Sequence, residues 1–172
     1  MLIRVRARAD DGAERRRVDF AFVDARLVQS RQQLMTAIVQ AIVGAMRRDP
    51  KRPDAEVGLK TPSIHSDLLW TLHSNNNIAE ALRRFGVSRT TRSLILVRVA
   101  PPLDAGELVQ HMTQLVDGTL QTRGLSLPSP ALAWSELGTA YKIQDTPAFQ
   151  HPDTSQVDAL ICSMVASKYV GA

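Results

Sequence analysis

From Ile3 to Arg8 apolar and basic residues alternate, and after Asp11-Gly12 a second run follows, Val18-Asp19-Phe20-Ala21-Phe22-Val23. Alternation with period two marks a strand, and an Asp-Gly pair tolerates the positive φ of a tight turn, so the two runs predict an antiparallel hairpin. Arg4, Arg6 and Arg8 then share one strand face, for which solvation is the plain reading. The period changes after Ser30. Gln33 stands three residues on, as in a capping box, and Leu34, Ile38, Ala41, Ile42 and Ala45 recur at helical spacing up to Met46. Arg47 and Arg48 suit the C-terminal dipole of this long helix, and Asp49-Pro50 ends it. Asp49 to Pro62 is then a polar loop punctuated by proline.

Ile64 to Leu72 holds the dense apolar patch Leu68-Leu69-Trp70 and gives way at once to Ser74-Asn75-Asn76-Asn77, which predicts a short, buried central strand. Asn77 and Glu80 have capping-box spacing, Ile78, Ala81, Leu82 and Phe85 form an apolar face, and Gly86 suits a left-handed terminator, so a short helix follows. Ser93 to Val99 is the clearest strand in the chain, rich in branched residues and stopped by Pro101-Pro102. Asp104 with Glu107 opens a helix carrying Leu108, Met112 and Leu115, closed by Gly118; Thr119 to Pro130 reads as loop. Ser135 to Tyr141 is helical, and Ser155 with Asp158 caps a last helix whose Val157, Leu160, Ile161, Met164 and Val165 make one stripe. No internal repeat or linker interrupts residues 1–172. The expected fold is one α+β domain, a mainly antiparallel sheet with an N-terminal hairpin, flanked by helices.

Composition narrows the function more than the fold. The 172 residues include 21 Lys plus Arg against 17 Asp plus Glu, a net charge of +4, which favours acidic partners without forming a basic tail. Cys162 is the only cysteine, which excludes intrachain disulfides and cysteine-rich zinc sites and fits a reducing compartment. No apolar run approaches the ~18 residues of a membrane span, and the start lacks the apolar core of a secretory signal, so a cytoplasmic protein without membrane attachment is expected. His65, His73, His111 and His151 are scattered without ligand spacing, and no glycine-rich phosphate loop occurs. Cys162 lies inside an amphipathic pattern with nothing to lower its pKa. The expectation is therefore no catalytic residue, no metal and no cofactor.

One stretch is specific. Asn75-Asn76-Asn77-Ile78-Ala79-Glu80-Ala81-Leu82-Arg83-Arg84-Phe85-Gly86-Val87 resembles the signature of the TPRKB, or Cgi, family of KEOPS (EKC) complex subunits. In that family an Asn-rich turn leads into Ile, a small residue, Glu-Ala-Leu, two basic residues and Phe-Gly. The likeness covers Leu69 to Val99 well and continues in outline through the long helix ending at Met46, Glu107 onward, Tyr141-Lys142 and Asp158 to Cys162. It departs in one place: the family carries an additional helix between the second strand and the long helix, where only Asp24 to Gln29 stand here.

The resemblance implies a non-catalytic adaptor of a complex that makes threonylcarbamoyladenosine in tRNA. Such a subunit docks on the small KEOPS protein kinase (PRPK-like), meets the other KEOPS subunits indirectly, helps to hold the single-stranded 3′ end of tRNA, and is cytoplasmic and, in a eukaryote, nuclear. Folding explains most of the signature by itself, since the asparagines cap and turn and the apolar residues pack. It does not require a helix N-terminus beside Arg83, Arg84, Arg89 and Arg92, a setting suited to phosphate. Asn75, Asn76, Asn77, Arg83 and Arg84 are thus the candidate tRNA contacts. Leu160, Ile161 and Met164, where the resemblance resumes, are the candidate kinase contacts, with the protein's own core as their alternative. Two rival functions are a protein-only interaction module without RNA binding and a small enzyme of unrecognised type.

Overall fold

In the computed structural model of the chain, residues 4–5, 20–47, 58–99, 105–119, 132–150 and 153–169 are described. Among them the fold is α+β with antiparallel strand pairing, as the sequence predicts. Strand β1 (Arg4–Val5) pairs with β4 (Val116–Asp117), and β2 (Ala21–Asp24) pairs with β3 (Leu94–Val97) in the register Ala21↔Val97 to Asp24↔Leu94. The two predicted hairpin strands therefore each meet a strand from later in the chain, and the expected Asp11-Gly12 turn lies outside the described residues.

β2 ends on Asp24, a buried carboxylate that accepts the Arg26 backbone N–H at 3.0 Å, the Arg26 guanidinium at 2.9 Å and the Thr91 hydroxyl at 2.8 Å. One 3-10 turn, Ala25–Leu27, then carries the chain into α1 (Arg31–Met46). This turn occupies the place of the helix that the resembled family inserts. Ser30 Oγ accepts the Gln33 N–H at 2.9 Å, as the capping spacing predicts, while Gln33 Oε1 reaches back to the Gln29 N–H at 2.7 Å. Gln33 Nε2 also donates to the Tyr141 hydroxyl at 2.8 Å, and that hydroxyl donates to the Leu72 carbonyl. A buried polar chain so satisfied fixes α1, the backbone at Leu72 and the side chain of Tyr141 in one arrangement.

Ile64–Leu72 is not a strand but helix α2, capped by Ser63, whose Oγ accepts the Ser66 N–H at 3.1 Å. The reason is burial. His65 and every residue from Asp67 to Leu72 are buried, because α1, β2 and the following helix, Ile78–Phe85, pack around this helix. A helix covered on all sides shows no polar face, so its period vanishes from the sequence and a short apolar run imitates a strand.

Helix α3 (Ile78–Phe85) starts where predicted, but only Ala81 and Phe85 point inward; Ile78 and Leu82 are 36% and 40% exposed. Gly86 is not left-handed, having φ of −75°. What requires glycine there is the close approach of the Leu82 carbonyl, which a Cβ would overlap. Helix α4 (Ala105–Leu115) gives way to β4, and Asp104 and residues 120–130 of the predicted loop lie outside the described residues. Helices α5 (Trp134–Tyr141) and α6 (Pro147–Gln150) precede α7 (Thr154–Ala166), which is capped by Asp153 rather than Ser155: Asp153 Oδ1 accepts the N–H groups of Ser155 and Gln156 at 3.0 and 3.1 Å. Val23, Leu68, Phe85, Leu137 and Ile161 meet in the core that β2, α2, α3, α5 and α7 enclose.

Candidate functional site

α2 stops at Leu72, and five residues carry the chain into α3. His73 caps α2, and its Nδ1 accepts the Asn75 N–H at 3.1 Å. Burial lowers the imidazole pKa, so His73 is a neutral acceptor. Ser74 donates to the Ala140 carbonyl at 2.7 Å. Asn75 Oδ1 accepts the Asn77 N–H at 2.9 Å, and Asn77 Oδ1 accepts the Glu80 N–H at 3.0 Å. Two of the three asparagines therefore spend their side-chain oxygens on the turn and the cap, as these residues commonly do. Asn76 differs: its side chain is exposed, and its carbonyl accepts from Trp70 Nε1 at 3.4 Å.

Asn76 belongs instead to a recess of about 150 Å³, lined with Lys60, Trp70 and Ile78. Each lining residue comes from a different piece of chain. Lys60 stands in the segment before α2, whose backbone is tied down by the buried Asp67 carboxylate, which accepts N–H from Thr61 at 2.7 Å and from Lys60 at 3.1 Å. Trp70 comes from α2 itself and Ile78 from the first turn of α3. The result is an apolar wall and floor with a cation and an amide at the rim, beside a helix N-terminus.

Arg83 and Arg84 lie on α3 as predicted, but neither stands alone. Both guanidinium groups converge on Glu80: Arg83 donates to it at 2.8 and 2.6 Å, and Arg84 Nε donates to Glu80 Oε1. These bonds, Arg83's first, hold the Glu80 carboxyl down to about 2, so the cluster carries one net positive charge at neutral pH. Arg89 and Arg92 are exposed on the turn that follows.

The candidate kinase contacts divide. Ile161 is 0% exposed and packs the core, so its side chain is not offered to a partner. Leu160 and Met164 are half-buried against the same core. A different apolar surface stands on α1, where Met35, Val39, Val43 and Met46 recur along the outward face and are exposed, Met46 at 78%. Cys162 is buried, and burial pushes its thiol up to about 11, the opposite of an activated nucleophile. Among the described residues no group of His, Cys, Asp or Glu could hold a metal, and no helix is long and apolar enough to cross a membrane.

Sequence reasoning did not find Lys60, Trp70 or the α1 face. Reading α2 as a strand detached Trp70 from the turn it supports. The usable signal was Ser63 three residues before Ser66, a cap spacing ahead of Leu68, Leu69 and Leu72.

A family model described as kinase binding protein CGI-121 matches residues 4–169, and the chain belongs to that family. It is similar to the EKC/KEOPS complex subunit CGI121 of Gibberella zeae, 36% identical over 107 residues, 58% of this chain and 50% of that protein. The subunit of the same name from Cryptococcus neoformans is 30% identical over 182 residues, 91% of this chain and 79% of that protein, and the one from Neurospora crassa 25% over 170 residues, 86% and 78%. The matched region spans half or less of the first curated relatives' own length, those of Gibberella zeae, Aspergillus terreus and Coccidioides immitis.

Proposed function

We propose that this chain is the adaptor subunit of a KEOPS-type complex, binding the complex's small protein kinase and holding the unpaired 3′ end of tRNA during threonylcarbamoyladenosine synthesis. The observation that carries the RNA half is the recess at the Asn-rich turn. Unpaired RNA ends are held by stacking or apolar contact to a base together with polar and backbone contacts, and Ile78 supplies the apolar contact and Asn76 and Lys60 the polar ones within one small cleft, over a buried floor that Trp70 supports. Arg83, Arg84 and the N-terminus of α3 provide the adjoining positive potential for phosphate. The kinase half rests on family membership. The exposed apolar face of α1, with Leu160 and Met164 on the helix α7 that packs elsewhere on α1, supplies the surface such a partner would cover.

Replacing Arg83 and Arg84 together by Ala is expected to weaken tRNA binding at low salt and to reduce the slope of log affinity against log salt by about 1 to 2, since fewer counterions are released. Filter binding at four salt concentrations measures this. Glu80→Gln, which frees both guanidinium groups, is expected to move affinity the other way. A folded double variant with unchanged affinity and slope would favour the protein-only module.

A further inference from the structure

Beneath the recess lies a lysine that has no business there on composition grounds. Lys168, on the turn after α7, is 7% exposed, yet among the described residues its ammonium meets no carboxylate. Instead Nζ donates to the His73 carbonyl at 2.7 Å and to the Asn75 carbonyl, and it stands 4.4 Å from the centre of the Trp70 ring. Those three partners are the C-cap of α2, the first asparagine of the turn and the floor of the recess. The next residue acts on the same parts. Tyr169 packs edge-on against Trp70 with ring centres 5.2 Å apart, and its hydroxyl donates to Asp67 Oδ2 at 3.0 Å, the oxygen that also accepts the Lys60 N–H. The Tyr169 ring fits because residue 44 of α1 is glycine; any Cβ there would overlap it.

We infer that Lys168 is a positioning residue for the recess: it sets the height of the Asn75–Asn76 backbone over the Trp70 ring and thereby the width of the cleft that receives an RNA base. The inference rests on the RNA reading proposed above. A buried cation without a carboxylate is unfavourable unless something specific compensates it, and here the compensation is one contact to the ring that floors the cleft and two to the backbone of the turn that carries Asn76. Burial lowers the ammonium's pKa to about 8, which leaves it charged at neutral pH. A residue serving only to close the fold would be replaced at lower cost by an apolar side chain of the same length, since unpaired buried charge is seldom the stable choice.

The test compares a tRNA transcript carrying its unpaired 3′ end with the same transcript lacking it, for the wild type, Lys168→Met and Lys168→Arg. The wild type is expected to lose about tenfold in affinity when the end is removed, the scale of one or two stacking and hydrogen-bond contacts. Lys168→Met is expected to melt close to the wild type, to bind the truncated transcript equally, and to lose most of the preference for the intact end. Lys168→Arg keeps a charged donor over an aromatic face and is expected to recover part of that preference. If Lys168→Met does not fold, Lys168→Gln replaces it, with the same expectation. A folded Met or Gln variant that keeps the full preference shows Lys168 to be structural only and overturns the inference. A wild type that does not distinguish the transcripts overturns the RNA reading itself, and the inference with it, and is read without any variant.

Discussion

Ile161→Glu is expected to abolish the folded state, whereas Met164→Glu is expected to fold and to lose the kinase. Ile161 is fully buried in the main core, so an introduced carboxylate has neither water nor a partner there. An uncompensated buried charge costs about 3–5 kcal/mol, to which the lost apolar packing adds. Whole domains have only ~5–15 kcal/mol to lose. Met164 and Leu160 sit at the rim of the same core, where a charge can turn toward solvent; about 1 kcal/mol is the scale for such a change. Thermal melting and kinase binding, measured in parallel on the three glutamate variants, separate the cases. If Met164→Glu and Leu160→Glu both keep the kinase while a charge at Val39 of the α1 face removes it, docking belongs to α1 rather than to α7.

Trp70→Ala should cost about 3–5 kcal/mol and remove the preference for the unpaired RNA end at the same time. The indole is among the largest fully buried side chains. It supports Lys168 by its face, Tyr169 in a T-shaped ring pair and Asn76 through Nε1, so its loss releases all three. Trp70→Phe keeps an aromatic floor and should lose much less stability. Urea unfolding with an unchanged slope would show a true change in stability rather than in the unfolded state. An alanine variant that loses stability yet still distinguishes the intact RNA end would detach the recess from RNA recognition.

Much of the fold was legible because its elements are one-sided. β3 shows branched residues with a proline stop, α1 and α3 show their caps, and α7 shows its stripe, so those elements lie where the residues predict, within a few positions. What was hidden is what is covered on every side. α2 presents no polar face, and hydrophobic periodicity alone cannot distinguish such a helix from an interior strand. The same limit split the candidate site. Asn77 and Glu80 announce themselves by local spacing, and the Arg83, Arg84 and Glu80 grouping follows from helical geometry once the helix is placed. Lys168 reaches the turn across more than ninety residues of chain, and Lys60 joins it through Asp67; neither partnership leaves any trace in local pattern. The stripe on α7 is visible in the sequence, but Ile161 at its centre faces the core, because a single apolar face of a helix normally serves its own domain first.

The adaptor role is tested most directly by titrating tRNA against the small KEOPS kinase alone and against the same kinase bound to this chain, at fixed physiological salt. The predicted result is a stable pair of proteins whose tRNA affinity exceeds that of the kinase alone by about tenfold or more, an increase that depends on the unpaired 3′ end. Failure of the two proteins to associate, or a complex with the same tRNA affinity as the kinase alone, would contradict it.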